Sequence, residues 1–273
     1  MSNFFLQNSI QSNCSLGEGL FLKETSSLWV DINQDKLFVY KDSHLKEYFL
    51  EFKPSVILNL NKNIVTLGTD IGIVDYDINL NKYSITNGLP DFVDVDCFRS
   101  NDGCVNNSFT LLGFMNRGEP NLVPGYIYTI KNGNWTLIDS TIYIPNSFIE
   151  IEKNKILITD SLSATIWLFK FTDDGSLIEK KLWKKFVNGS TPDGGCMIGD
   201  SIFLSMWDGA SIFILNKDCE LLDTIDLPVI RPTNCKFNPE SSELWVTSAS
   251  EGLSLNQLQR YNQSGNTFIY KLI

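Results

Sequence analysis

Residues 191–205 read Thr-Pro-Asp-Gly-Gly-Cys-Met-Ile-Gly-Asp-Ser-Ile-Phe-Leu-Ser, a polar segment that leads into an apolar strand core. Pro192 fixes its own φ, and the two glycines that follow Asp193 permit backbone angles closed to other residues. We therefore predict a tight turn that holds Asp193 just before a strand. Taken alone, such a segment is typical of a β-turn without a function. Its meaning comes from its recurrence along the chain.

Strand cores similar to residues 202–205 recur at intervals of about 36 to 47 residues, the length of a four-stranded propeller blade. After most cores come a short turn, a second strand and a more polar third strand that fits an outer edge protected by charge. Apolar and polar residues alternate along most of the chain, and no segment has the apolar spacing of an amphipathic helix. This pattern predicts an all-β protein. The six cores are residues 28–31, 64–68, 109–113, 156–160, 202–205 and 244–248.

These repeats predict a six-bladed β-propeller with a single domain, residues 1–273. A β-sandwich with a similar number of strands is the alternative, but a sandwich does not require a repeat near 45 residues. The C-terminal strand at 267–272 leaves the last blade short. We expect residues 3–6 to complete that blade and close the ring.

The charge balance limits the classes of partner. The chain has 22 basic and 32 acidic side chains, a formal net charge of -10. Nucleic acids and anionic membranes both need a cationic face, so we expect neither as a partner. An acidic protein is suited to a cation instead.

The location is predicted from the N-terminal sequence and the cysteines. Residues 1–22 contain no Lys or Arg and no long apolar run, and no stretch approaches the length of a membrane span. The six cysteines have no CxxC spacing, which indicates reduced core residues rather than a disulfide framework. We expect a cytoplasmic protein.

Polar residues precede each strand core by about 8 to 12 positions, and four of them follow a proline. The innermost strands of a propeller line its central channel, and equivalent positions of successive blades surround the axis. We therefore expect these six side chains to meet at one mouth of the channel. They are Glu18, Ser55, Asn101, Asn146, Asp193 and Thr233.

Glu18, Asn146 and Asp193 supply two carboxylates and one amide oxygen from three blades. These are hard oxygen donors, suited to Ca²⁺, Mg²⁺ or Mn²⁺. The only histidine, His44, lies in a polar outer-strand setting, so a catalytic triad that needs His is nearly excluded. The sequence predicts a metal site at one mouth of the channel.

The segment 98–103 adds a guanidinium, Arg99, and an amide, Asn101, which can grip a carboxylate or vicinal hydroxyls. The sequence Asn-Asp-Gly within it is also a strong turn signal that needs no function. An arginine at a channel mouth favours the functional interpretation.

Five segments between Leu16 and Ala249 resemble, in order, the motifs of the regucalcin (senescence marker protein), gluconolactonase and luciferin-regenerating enzyme family. Residues 16–19 with 28–32 are similar to its GEGP and VDI. Residues 99–103 are similar to its R-x-N-D-G, and 145–147 with 158–161 to its S/P-N-G and DS. Residues 191–194 resemble its P-D-G, and 231–237 with 244–249 its PT…F…LYVTSA.

The resemblance implies a six-bladed propeller that hydrolyses a sugar lactone. By it the metal ligands are Glu18, Asn146 and Asp193, and Asp193 is also the proton acceptor and donor. Arg99 and Asn101 hold the lactone, and Glu119 is the counterpart of a displaced acidic substrate-binding residue. The implied cofactor is one divalent ion, Ca²⁺ first, with Zn²⁺, Mg²⁺, Mn²⁺ or Fe²⁺ as alternatives.

Several residues depart from the family motifs: Phe114 replaces Thr, Ser147 replaces Gly and Leu20 replaces Pro. These changes leave the predicted ligands intact and leave the substrate open. Two alternative functions remain: a calcium-binding regulatory protein without turnover, and a metal-dependent esterase or phosphotriesterase. A closed ring with charged outer edges needs no partner subunit, so we expect a monomer.

Overall fold

The computed structural model describes residues 4–90, 93–187 and 189–272. In these residues the chain forms twenty-four strands that make six four-stranded antiparallel sheets. The first strands of neighbouring sheets contact one another in a closed circle, so the sheets are arranged as blades around a central channel. The predicted all-β six-bladed propeller is confirmed.

The first strand, β1 (Phe4–Ile10), belongs to the last blade, and the others follow in chain order. Blade 1 contains β2 (Gly17–Lys23), β3 (Ser26–Asp31), β4 (Lys36–Lys41) and β5 (His44–Phe49). Blade 2 contains β6 (Pro54–Asn61), β7 (Ile64–Thr69), β8 (Gly72–Asp77) and β9 (Lys82–Gly88). Blade 3 contains β10 (Phe98–Val105), β11 (Thr110–Asn116), β12 (Tyr126–Lys131) and β13 (Asn134–Asp139).

Blade 4 contains β14 (Pro145–Glu152), β15 (Lys155–Asp160), β16 (Thr165–Phe171) and β17 (Leu177–Lys185). Blade 5 contains β18 (Thr191–Ile198), β19 (Ser201–Trp207), β20 (Ser211–Leu215) and β21 (Leu221–Asp226). Blade 6 contains β22 (Pro232–Asn238), β23 (Glu243–Ser248), β24 (Thr267–Leu272) and β1. A short helix, α1 (Leu255–Arg260), which the sequence pattern did not predict, lies between β23 and β24.

The segment that carries Asp193 is part of a strand, which corrects the predicted tight turn. It forms the start of β18, the innermost strand of blade 5, and the predicted strand core at 202–205 lies in the second strand, β19. The innermost strand is an edge strand of its own sheet, with one ladder neighbour. Sheets tolerate proline, which cannot donate a ladder hydrogen bond, on edge strands and at bulges.

Each innermost strand carries an irregularity at the same level of the channel. The pairing register with the second strand shifts there, so one or two residues are left out of the ladder, as in a β-bulge. These residues are the predicted polar ones or lie beside them. The six shifts lie between Glu18 and Phe21, Pro54 and Val56, Ser100 and Gly103, Asn146 and Ile149, Pro192 and Gly195, and Pro232 and Cys235.

Aspartates at the ends of second strands fix the chain just before the innermost strands. The buried carboxylate of Asp31 accepts hydrogen bonds from the backbone N–H groups of Ser15 (2.7 Å) and Leu16 (3.1 Å). Asp160 accepts one from the N–H of Ile144 (3.2 Å) in the same way. The entry points of β2 and β14, and so the positions of Glu18 and Asn146, are set by these carboxylates.

The hydrophobic core is divided among the interfaces between blades. Six clusters of buried side chains are found in the described residues, and each joins two neighbouring blades. In the cluster between blades 6 and 1, the rings of Trp29 and Phe38 stack with their centroids 5.5 Å apart. Burial of apolar surface at every interface makes the ring of blades cooperative.

The ring is closed by an N-terminal strand, as predicted. β1 pairs antiparallel with β24 as the outermost strand of blade 6, and Phe4 packs edge-on against Phe203 (5.8 Å between centroids) and Phe237 (6.4 Å). Asn3, which belongs to the segment predicted to close the ring, lies outside the described residues.

His44 is exposed at the start of the outer strand β5, as predicted. All six cysteines are free, as predicted, but only three of them are buried core residues. Cys97 is exposed, and Cys104 and Cys219 are partly exposed. The described residues contain no helix with the length and apolarity that a membrane crossing requires.

Phe4→Ala should lower the free energy of unfolding by about 2 kcal/mol, because the variant loses two aromatic contacts that hold the closing strand. The neighbouring variant Phe5→Ala is the matched control, since Phe5 is 47% exposed. Urea titrations of both variants test this. Equal stability of the two variants would show that β1 does not depend on its inward face.

Candidate functional site

Five of the predicted site residues lie on four of the innermost strands. Glu18 lies on β2, Asn146 on β14 and Asp193 on β18, while Arg99 and Asn101 lie on β10. All five line one cavity of about 390 Å³ at the end of the channel where the innermost strands begin. Its other lining residues are Leu16, Met115, Ile144, Ser161, Leu162, Thr191, Trp207, Asp208 and Glu251.

Asn146 and Asp193 contact each other directly across blades 4 and 5. The Asn146 Nδ2 donates to Asp193 Oδ1 at 2.6 Å and to Ser161 Oγ at 3.1 Å. The hydrogen bonds that Asn146 makes with other described residues all use Nδ2, so its Oδ1 is the atom that can serve as a ligand.

Ser147 occupies the position where the family motif has glycine. Its φ of 52° lies in the left-handed region that favours glycine, and its hydroxyl donates to the backbone carbonyl of Asp193. This hydrogen bond compensates for the backbone strain that a residue with a Cβ pays there. The departure from the motif therefore preserves the contact between blades 4 and 5.

Glu18 is held from one side by two donors. Its Oε2 accepts from the backbone N–H of Gly19 (3.0 Å) and from the Asn234 Nδ2 (3.4 Å). Gly19 has a φ of 59°, and a Cβ there would lie 2.8 Å from the Ser55 carbonyl oxygen, so glycine is required. Both donors use Oε2, which leaves Oε1 of this buried carboxylate for a ligand.

Asn234 was not singled out from the sequence as a site residue. It is 3% exposed, and its Oδ1 has no hydrogen-bond partner among the described residues. A Cβ on Gly194 would lie 2.5 Å from the Asn234 Cγ, so that glycine makes room for the amide. Asn234 therefore contacts the residue after Asp193 while it donates to Glu18.

Burial and neighbouring acids disfavour the charged forms of Glu18 and Asp193. Burial raises the pKa of Glu18 from its ordinary 4.5 to about 8, and Asp102 adds to the rise. Burial also raises the pKa of Asp193 well above its usual range, and the charges of Glu18 and Asp102 act in the same direction. Two buried acids that repel each other are an arrangement that a cation stabilises.

Among the described residues, Arg99 is the one basic side chain that lines the cavity. Burial lowers its pKa to about 10, while the charges of Glu251, Glu18 and Asp193 oppose that fall. Its Nη1 donates to Asn101 Oδ1 at 2.7 Å and to the Ser100 carbonyl at 2.9 Å. The Asn101 Nδ2 in turn donates to the Pro145 carbonyl at 3.0 Å.

Asp102, the second acid of the Asn-Asp-Gly sequence, has a structural position. Its buried carboxylate accepts a hydrogen bond from the backbone N–H of Gly103 (2.8 Å), and the backbone N–H groups of Ser147 and Phe148 in blade 4 act to lower its pKa. Burial raises its pKa, and the charge of Lys236 opposes the rise. Asp102 therefore fixes β14 to β10 beside the cavity.

Glu119 is exposed and is not among the residues that line the cavity. It lies in the loop after β11, where its backbone N–H donates to Asn116 Oδ1 at 2.7 Å. The Asx-type turn directs this loop along the surface.

The donor set fits a divalent ion. Among the described residues no three Asp, Glu, His or Cys side chains cluster as a metal site. The set here has two carboxylates and an amide instead, all hard oxygen donors. The mutual repulsion of Glu18 and Asp193, together with the available Oε1 and amide oxygen, is the chemistry that such an ion would satisfy.

Three rim residues were missed by the sequence interpretation: Trp207, Asp208 and Glu251. They lie at or just after the ends of second strands, where the chain turns over the cavity. These loop residues share no spacing along the sequence, so no periodic signal would have identified them.

A family profile described as the SMP-30/Gluconolactonase/LRE-like region matches residues 16–250. The chain belongs to this family. The match includes blades 1 to 5, the first two strands of blade 6 and all the predicted site residues.

Two curated relatives are similar over a shorter region. Regucalcin of Gallus gallus is 31% identical over 114 residues, which are 40% of this chain and 38% of that protein. The 6-deoxy-6-sulfogluconolactonase of Pseudomonas putida is 29% identical over 114 residues, 40% of this chain and 39% of that protein. The matched region spans about two fifths of the length of these relatives.

Solved structures show the same fold at lower identity. The calcium-binding protein regucalcin from Agrobacterium tumefaciens superimposes with a TM-score of 0.89 at 20% identity and covers 97% of this chain and 93% of its own. A luciferin-regenerating enzyme superimposes with a TM-score of 0.83 at 19% identity and covers 95% and 91%. These likenesses support the propeller fold.

In chelator-treated protein, stability should fall as the pH rises from about 4.5 to about 8. In this window Glu18 is ionised in the unfolded chain but keeps its proton in the folded one, so the folded state binds more protons and loses stability with rising pH. Asp193 acts in the same direction.

Urea titrations at several pH values test this, with Glu18→Gln expected to flatten the slope and exposed Glu51→Gln as the control. An unchanged slope in Glu18→Gln would contradict the assignment of Glu18 as a buried acid without a cation.

Proposed function

We propose that the protein is a metal-dependent lactonase that hydrolyses a small sugar lactone of the aldonolactone type to the open-chain acid. The observation that carries the proposal is the pair of buried, mutually repelling carboxylates, Glu18 and Asp193, that share one cavity with Asn146, Arg99 and Asn101. Membership of a family named for gluconolactonase, and a relative named as a sulfogluconolactonase, support the reaction class.

Glu18, Asn146 and Asp193 would hold the divalent ion through their oxygens, with Ca²⁺ as the first candidate because a similar solved structure is named a calcium-binding protein. When bound, such an ion polarises a carbonyl group and lowers the pKa of water. Zn²⁺, Mg²⁺, Mn²⁺ and Fe²⁺ remain alternatives.

Asp193 is the proposed base. It would take a proton from the attacking water as the new C–O bond forms at the lactone carbonyl carbon. When the ring C–O bond breaks, the same carboxyl would return the proton to the departing ring oxygen, which becomes a hydroxyl. Asp193 is suited to this exchange because its carboxyl lies in the same cavity as Arg99 and Asn101, which would hold the lactone.

Arg99 and Asn101 would position the lactone. Arg99 is held by the Ser100 carbonyl and by Asn101, so its remaining N–H groups have a fixed direction at the cavity wall. The proposed partner is therefore a small-molecule lactone, and a monomeric state and a cytoplasmic location stay predictions.

An ion-binding protein without turnover is the second candidate. It is favoured by Asn101, whose amide oxygen and nitrogen both make hydrogen bonds within the protein. In this function Arg99 and Asn101 would only stabilise the ring of strands. An esterase or phosphotriesterase that uses the same cavity is a variant of the first proposal.

Chelation should abolish lactone hydrolysis, and Asp193→Asn should lower kcat by about a hundredfold or more even with metal restored, because the base is lost. A pH-indicator assay over a panel of aldonolactones, corrected for hydrolysis in buffer, measures this, with exposed Asp200→Asn as the control. Metal content of each variant separates lost ion from lost base. If no lactone opens faster than in buffer with any divalent metal, the enzymatic proposal fails and the ion-binding one survives.

Arg99→Ala should lower kcat/KM by about tenfold or more, because the lactone loses a positioning contact. Affinity for the divalent ion should not weaken, since the variant removes a positive charge close to Glu18 and Asp193. Kinetics and calorimetric metal titration on the same preparation test both statements. A collapse of metal binding would mean that Arg99 supports the ion site rather than the substrate.

A further inference from the structure

The rim of the cavity has an unusual charge balance. Four of its lining residues are acidic, Glu18, Asp193, Asp208 and Glu251, and one is basic, Arg99. Arg231, just outside the lining, pairs with Asp208, and a divalent ion would balance Glu18 and Asp193, so Glu251 and Arg99 are the remaining opposite charges. A substrate that enters the cavity therefore meets no uncompensated positive charge.

The positive charge of Arg99 is already compensated by acids of the cavity. Its guanidinium already donates to Asn101 Oδ1 and to the Ser100 carbonyl, and Glu251 is the acid whose charge influences it most strongly. Glu251 lies on the outer side of the cavity, in the loop after β23. The charge of Arg99 is thus compensated by Glu251 at the rim as well as by Glu18 and Asp193.

A second arginine near the rim is also engaged. The Arg231 Nε lies 2.6 Å from Asp208 Oδ1, its guanidinium lies 4.7 Å above the Trp207 ring, and its Nη1 donates to the backbone carbonyl of Glu251. Its side chain is 15% exposed. Arg231 therefore joins the two rim loops and holds Glu251 in place, and its charge is paired with Asp208.

The remaining wall of the cavity is largely apolar. Leu16, Met115, Ile144, Leu162 and Trp207 line it. A phosphate, sulfonate or carboxylate placed against these side chains would lose hydration without gaining a cation or a donor. The apolar wall and the acidic rim disfavour the same kind of substrate.

We propose that this cavity selects lactones by charge: it accepts uncharged ones and excludes those with a phosphate, sulfonate or carboxylate substituent, and Glu251 is the specificity-determining residue. The inference deepens the proposed lactonase function and rests on it. Glu251 acts by compensating Arg99, which would otherwise attract the anionic group, and by repelling that group directly.

Two lactones that differ only at C6 test the proposal: D-glucono-1,5-lactone and its 6-phosphate. The metal-loaded enzyme should have a kcat/KM at least about tenfold lower for the phosphate, because like charges at a binding surface are costly. The difference should shrink as added KCl screens the charges. Both rates are measured in a pH-stat and corrected for spontaneous hydrolysis.

Glu251→Gln should narrow the ratio between the two substrates by about threefold or more, mainly by improving the phosphate. The control is Glu240→Gln, an exposed acid in the turn after β22, at the opposite end of that strand from the cavity. This variant should keep the wild-type ratio. Thermal unfolding of both variants verifies that they are folded.

The possible outcomes distinguish the charge selection from the lactonase function on which it rests. If the wild type hydrolyses both lactones equally well, or prefers the phosphate, the charge selection is wrong while the lactonase function stands. If Glu251→Gln keeps the wild-type ratio, Glu251 is not the determinant and the proposal is overturned. If neither lactone is hydrolysed faster than in buffer, the lactonase function fails, and the selection proposal fails with it.

Discussion

Every innermost strand of this propeller has a ladder neighbour on one side only, so its polar groups on the channel side must find partners in the next blade. They do so around the circle. The Ser55 hydroxyl donates to Ser100 at 2.7 Å, the Asn101 amide to the Pro145 carbonyl, and the Asn146 amide to Asp193. The channel is polar because hydrogen bonds between neighbouring blades close the ring. The candidate site is the part of the ring where the carboxylates of Glu18 and Asp193 share one cavity without a donor for each oxygen.

The number of blades and their order could be predicted from the sequence, because each blade repeats an apolar second strand that is buried on both faces. The position of Asp193 could be predicted too, but its local structure could not. Proline and glycine in succession are typical of a turn, and they are equally compatible with an edge strand at a bulge. What distinguishes the two is whether the strand has a neighbour on the channel side, a property of the whole ring that no window of the sequence around Pro192 contains.

The site could be predicted to a similar extent. Glu18, Asn146 and Asp193 occupy equivalent positions of three blades, and equivalence around an axis brings them into one cavity. Glu251 and Asn234 have no such periodicity: one lies in an irregular loop, and the other contacts Glu18 only because Gly194 leaves space for its amide. The position of a rim residue such as Glu251 depends on the direction that the chain takes after the strand. The contacts of an amide such as that of Asn234 depend on atomic packing. Neither can be predicted from the spacing of residues along the sequence.

The pairing of β1 with β24 has a consequence for folding during synthesis of the protein. The closing strand β1 is synthesised before its partner β24, by roughly tens of seconds at ordinary translation speeds. Until then the aromatic pair Trp29 and Phe38 has no sixth blade to cover it, and the channel mouth lacks one of its walls. Nascent chains of this architecture therefore keep apolar surface exposed until the strands of the last blade have been made.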